Sequence, residues 1–99
     1  MQTAYQHLSD EQLAGLVKRN DHAAYAELIQ RYQNKLSPYL MRLLGCEEDA
    51  LDLVQDTFLK VYEQIQGFDE RKKFSSWLYR IAYNTFLNDE RKRFPESDA

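Results

Sequence analysis

From Asp21 to Gly45 the chain presents Tyr25, Leu28, Ile29, Tyr32, Leu36, Leu40, Leu43 and Leu44 at steps of three and four. That period places them along one side of an α-helix. Residues that would stop such helices are scarce, with three glycines and two prolines in 99 residues. No β-branched run alternates with polar residues, so strands are not expected. The chain reads as one all-α domain, a compact bundle of four helices.

Each helix has its own signals. In "SDEQLAGLV", Ser9 and Gln12 have the spacing of a capping box, and Leu13, Leu16 and Val17 form an apolar side of a short helix ending near Asn20. Asp21 is the next N-cap, and Gly45 ends the second helix. Pro38 removes a backbone donor there, which predicts a kink or break near Ser37. The third helix is expected from about Glu47 to Gln66, with Glu47, Glu48 and Asp49 at the end where the dipole favours negative charge. After Gly67 and the polar connection "GFDERKKFSS", the fourth runs from about Ser75 to Arg93, with Ser75 or Ser76 as cap. The domain is expected to occupy residues 1–95, and 96–99 to be a frayed tail or the start of a linker.

Cys46 is the single cysteine, so no internal disulfide and no cysteine-rich metal site is expected. No leader sequence opens the chain and no apolar run approaches the ~20 residues of a membrane span, so a cytoplasmic protein without membrane insertion is expected. Charge is divided unevenly. Residues 1–66 hold six Lys/Arg against ten Asp/Glu, whereas residues 67–95 hold seven against four. An acidic front and a basic back suit two different partners, although solvated surfaces also scatter charge in this way.

The last two helices have more apolar sides than one small core uses. On the third, Ala50, Leu51, Val54, Phe58, Val61, Tyr62 and Ile65 form the expected core side. A second stripe carries Asp49, Leu53, Asp56 and Lys60, with Asp52 and Gln55 further round. It is either a solvated face with an incidental leucine or a docking strip with one apolar anchor ringed by pairing groups. On the fourth helix, Phe74, Leu78, Ile81, Ala82 and Thr85 should face the core. Trp77, Arg80, Asn84, Asn88 and Arg91 share another side, and Tyr79, Tyr83 and Phe86 a third that should pack on the first two helices. A ring that stacks on a base, amides that bond base edges and guanidinium groups that hold phosphates suit single-stranded nucleic acid. The clusters Arg71-Lys72-Lys73 and Arg91-Lys92-Arg93 could grip a strand at either end. The alternatives are that Trp77 belongs to the core and that the C-terminal cations serve the helix dipole.

The stretch "DALDLVQDTFLKVYEQIQGFD" followed by "FSSWLYRIAYNTFLNDERKR" resembles region 2 of the extracytoplasmic-function (ECF) sigma factors of the sigma-70 family, from about Asp21 to Arg93. The resemblance implies a domain that binds core RNA polymerase through the clamp coiled coil of the largest subunit. It also implies a domain that reads and holds the unpaired non-template strand of the −10 promoter element. On that mapping Asp49, Asp52, Leu53, Gln55, Asp56 and Lys60 meet polymerase. Phe68, Arg71, Lys72, Lys73, Phe74, Ser75, Ser76, Trp77, Arg80, Asn84, Asn88 and Arg91 lie towards DNA, with a flipped base held between the loop and the start of the last helix. Unstacking that base would itself give selectivity. Tyr79 and Tyr83 are left to packing or to an anti-sigma protein. Nothing corresponds to region 4, the family's second domain, so an excised or truncated form is expected.

Two rivals remain. Glu47, Glu48, Asp49, Asp52 and Asp56 raise a carboxylate metal site, but such sites draw Glu and His from several helices, and the third helix has no His. No phosphate loop, Ser–His arrangement or zinc spacing appears, so no enzyme activity, cofactor or metal is expected. The other rival is a helical protein–protein interaction domain that binds no DNA.

Overall fold

Ser9 caps a helix as its spacing predicts. Its hydroxyl accepts from the Gln12 amide at 3.0 Å, and the Gln12 side chain accepts from the Ser9 amide at 2.8 Å. The computed structural model describes the backbone of residues 3–93 and the side chains of residues 5–91. The helices are α1 (Thr3–Gln6), α2 (Asp10–Lys18), α3 (His22–Leu44), α4 (Glu47–Gln64) and α5 (Phe74–Arg93), with a 3-10 turn at Ile65–Gly67. No strand occurs among the described residues. Pro95 and the tail at 96–99 lie outside them, as do the side chains of Lys92 and Arg93 in the C-terminal basic cluster.

The other end signals act locally. Asp21 Oδ1 accepts from the Ala24 amide at 3.1 Å, which caps α3. Asn20, at φ 70°, and Gly45, at φ 74°, take the left-handed conformation that asparagine and glycine tolerate at helix ends. The break near Ser37 does not occur, because α3 runs through Pro38. Pro38 and Asn34 are both exposed, so the carbonyl that loses its partner lies on the outer side, where water can serve it. The short α1 was not expected, since one turn has no readable period. Arg31 holds its end: Nη2 donates to the Tyr5 and Gln6 carbonyls at 3.0 and 3.4 Å.

Helix α3 packs against both α2 and α4, and α4 against α5. The core is built from Leu13 and Val17 of α2, Leu28, Leu36 and Leu40 of α3, Phe58 and Val61 of α4, and Leu78 and Ile81 of α5. Each fully buried side chain of this size contributes about 1.5–3 kcal/mol relative to exposure. On α5 the expected core residues Phe74, Leu78, Ile81, Ala82 and Thr85 are all buried.

On α4 the expected core side is corrected. Leu51 and Tyr62 are 51% and 38% exposed, whereas Leu53 and Thr57 are buried. Helix α4 has neighbours on two sides, and packing against α5 turns its buried arc towards Leu53 and Thr57. A threonine fits there because Oγ1 donates to the Leu53 carbonyl at 2.7 Å, so no hydroxyl is left unpaired. Tyr79 packs on α3 as expected, with its ring 5.1 Å from that of Tyr39 in an edge-on contact. Tyr83 is 43% exposed, with its ring 5.9 Å from that of Phe86, and it lies near enough to Tyr39 of α3 to add to burial in raising that phenol's pKa.

Candidate nucleic-acid interface

Helix α5 starts one residue earlier than expected, and neither Ser75 nor Ser76 caps it. The Phe74 amide donates to Glu11 Oε2 of α2 at 2.7 Å, so a carboxylate from another helix serves the first orphan donor and complements the helix dipole. Phe74 therefore points inward and is buried. Its ring lies 5.5 Å from Phe68, edge-on, and 5.7 Å from Trp77, while Phe68 and Trp77 are 5.0 Å apart. Phe68 and Phe74 form a rigid aromatic pedestal, and the half-buried indole of Trp77 rests on it with part of its surface open.

The indole forms one side of an open groove of about 490 Å³ whose lining includes Phe68, Lys72, Lys73, Ser76, Trp77 and Arg80. One flat ring thus stands among three cations at the junction of the loop and α5. Phe68 is only 2% exposed and forms the floor of the groove. Phe74 is part of the pedestal, since its ring is enclosed by Phe68, Trp77 and Tyr32. Ser75 is half-buried and does not line the groove.

Arg71 also stays out of the groove. Its Nε and Nη2 each bond an Asp69 carboxylate oxygen at 3.0 Å, and its amide bonds Asp69 Oδ1 at 2.9 Å. Arg71, mostly through the side-chain hydrogen bond, lowers the Asp69 pKa to about 2. A carboxyl group held below its usual range keeps this clamp closed at and above the ordinary carboxylate range and releases it as pH falls towards about 2. Carboxyl-carbon NMR of Asp69 is expected to show a midpoint well below that of a free aspartate, and an ordinary midpoint would mean that the clamp is open in solution.

Further along α5, Asn84 is exposed one turn beyond Arg80. Asn88 and Arg91 line a separate depression with Asp56, Leu59, Lys60, Glu63 and Asp89. The expected Trp-Arg-Asn-Asn-Arg stripe is thus split: Trp77 and Arg80 line one concavity, Asn88 and Arg91 line another shared with α4, and Asn84 lines neither.

The acidic strip is present in altered form. Asp49, Asp52, Gln55 and Asp56 line a depression of about 320 Å³ with Leu53 beneath them, and α5 adds Asp89. Leu53 is 2% exposed, so the expected apolar anchor is corrected to core, enclosed by the packing of α4 on α5. Lys60 lies in the adjoining depression, 3.8 Å from Glu63. Among the described residues, no group of three or more His, Cys, Asp or Glu could hold a metal ion.

Sequence reasoning missed Glu11, Lys18 and Gln66. Lys18 Nζ donates to the Phe68 carbonyl at 2.6 Å, and Gln66 Nε2 donates to the Lys18 carbonyl at 2.9 Å. Contacts spanning 50 residues leave no periodic trace. The only available sign was a carboxylate on α2 with no partner nearby in sequence.

The family model described as "Sigma-70 region 2" matches residues 28–94. The chain is 39% identical over 80 residues to the ECF RNA polymerase sigma factor SigW of Bacillus subtilis, covering 81% of this chain and 43% of that protein. It is 38% identical over 94 residues to the ECF RNA polymerase sigma-E factor of Haemophilus influenzae, covering 92% and 49%. The chain thus spans about half the length of these relatives. A solved structure of an engineered region 2 of sigmaE in complex with GTAAAA matches with a TM-score of 0.76 and 37% identity, over 86% of this chain and 93% of that one.

Proposed function

This chain belongs to the sigma-70 region 2 family, and on that premise we propose that it docks on core RNA polymerase and holds the unpaired non-template strand of a −10 promoter element. The observation that carries the reading is the groove at the start of α5, where the Trp77 indole stands among Lys72, Lys73 and Arg80. The ring offers a face on which a base stacks, and the cations neutralise the phosphates on either side. The likeness to an engineered region 2 of sigmaE solved in complex with GTAAAA supports single-strand binding by a domain of this fold. The strand contacts are Lys72, Lys73, Ser76, Trp77 and Arg80, with Asn84 extending them along α5. Such a role belongs in the cytoplasm, and no described helix is long and apolar enough to cross a membrane.

The test uses the single tryptophan as its reporter. GTAAAA and a pool of randomised single strands are titrated into the chain while Trp77 fluorescence is followed. Quenching is expected, with log affinity falling against log salt by about 0.7 per phosphate contacted. If neither GTAAAA nor the pool quenches the indole, or if affinity is flat with salt, the strand-holding reading fails.

For polymerase, the acidic depression on α4 supplies exposed carboxylates to pair with a basic partner. Asp56→Arg reverses charge at an exposed position outside the strand groove. It is expected to weaken capture of core polymerase about tenfold or more and to leave strand affinity unchanged. Full retention of polymerase by this variant would remove the α4 strip from the docking surface.

A further inference from the structure

The loop that forms the groove is fastened to α2, whose contacts approach it from behind. We propose that Lys18 and Glu11 are positioning residues for the −10 strand, setting the loop and the first turn of α5 without touching the bound strand; this inference rests on the strand-holding function above. Lys18 Nζ donates to the Phe68 carbonyl at 2.6 Å and lies 3.5 Å from Glu70 Oε2, so one ammonium group holds the loop at its entry and its middle. Glu11 Oε2 accepts from the Phe74 amide at 2.7 Å and holds the loop's exit.

Neither residue lines the groove. Helix α2 also meets the loop closely. A Cβ at Gly15 would stand 2.5 Å from Glu70 Oε1, so α2 carries no side chain at the point of nearest approach. Within the loop itself, the fastenings are local: the exposed Asp69–Arg71 clamp and a turn in which the Lys72 amide donates to the Asp69 carbonyl at 2.9 Å. The two rings at its ends are anchored by burial, and two side chains from α2 add the polar ties that hold the loop's backbone to the bundle at Phe68, Glu70 and Phe74. A charge-assisted hydrogen bond to a backbone group is strong enough to select one loop conformation. A site pre-set in this way binds its strand without ordering the loop at the same moment.

The test uses Lys18→Met, Glu11→Ala and Glu11→Gln in the 99-residue chain. Without DNA, amide exchange of the loop and of Phe74 is expected to quicken about tenfold or more in Lys18→Met and Glu11→Ala. Glu11→Gln keeps an acceptor oxygen and is expected to restore slow exchange at Phe74. With GTAAAA, Lys18→Met is expected to bind about tenfold more weakly with an unchanged salt slope. Lys72→Met, which removes a phosphate contact, is expected to reduce the slope by about 0.7. A shallower slope in Lys18→Met would instead make Lys18 a direct phosphate ligand and overturn the proposal. Wild-type exchange rates or wild-type affinity in Lys18→Met and Glu11→Ala would also overturn it. Absence of strand binding by the wild-type chain would count against the function itself, and the exchange arm separates that failure from this one.

Discussion

Leu53→Ala is expected to lower the unfolding free energy by about 2–5 kcal/mol, the range for truncating a buried leucine. Leu53 is 2% exposed, beneath the depression that Asp89 of α5 also lines. In a domain of this size each kcal/mol moves the melting temperature by roughly 4–8 °C, so the loss is large against the 5–15 kcal/mol that holds such domains together. Urea denaturation followed by helical circular dichroism measures it. Leu59→Ala, 60% exposed on the same helix, provides the comparison and is expected to stay within about 0.5 kcal/mol. The contrast decides how the acidic strip operates. With Leu53 in the core, a partner meets carboxylates and amides and finds no inserted apolar side chain. If Leu53→Ala keeps its wild-type midpoint yet loses polymerase, that side chain contacts the partner after all.

The second large effect is expected at Trp77. Removing a ring on which one base stacks weakens binding by about 1–3 kcal/mol, or roughly five- to 150-fold. Trp77→Ala also takes away contacts with Phe68 and Phe74, so a stability loss accompanies it. Trp77→Phe separates the two effects, since it keeps a π face on the pedestal and should bind between wild type and alanine. Affinity is read with a labelled GTAAAA strand at a temperature where circular dichroism reports a folded helix content for all three proteins. A folded Trp77→Ala with wild-type affinity would mean that the indole serves only the core.

Much of the helical framework was readable because its signals are local. Ser9 and Gln12 bond across three residues, Asp21 caps the helix beside it, and Gly45 needs only its own φ. The inward face of α5 was legible because its period of buried residues is regular. The site was legible in part. The sequence pointed to Trp77, Arg80 and the basic loop, and of these Trp77, Arg80, Lys72 and Lys73 line one groove. It could not tell that Phe68 and Phe74 would stand beneath the indole, or that Arg71 would turn back to Asp69. Both are outcomes of packing within the loop, and the same composition permits either arrangement.

The residue order alone specifies the longer helices, those of their ends that are capped locally and the chemistry offered on each side, because a hydrogen bond to the next turn or a cap reaches only three or four positions along the chain. It leaves undecided which side of a two-faced helix is enclosed, since that depends on how many neighbours arrive and from where. Docking of α5 against α4 turned Leu53 inward and left Leu51 outside. Docking of α2 behind the loop brought Glu11 to Phe74 and Lys18 to Phe68, 63 and 50 residues away. Burial and long-range hydrogen bonds are properties of the assembled bundle, and they appear only once its helices have met.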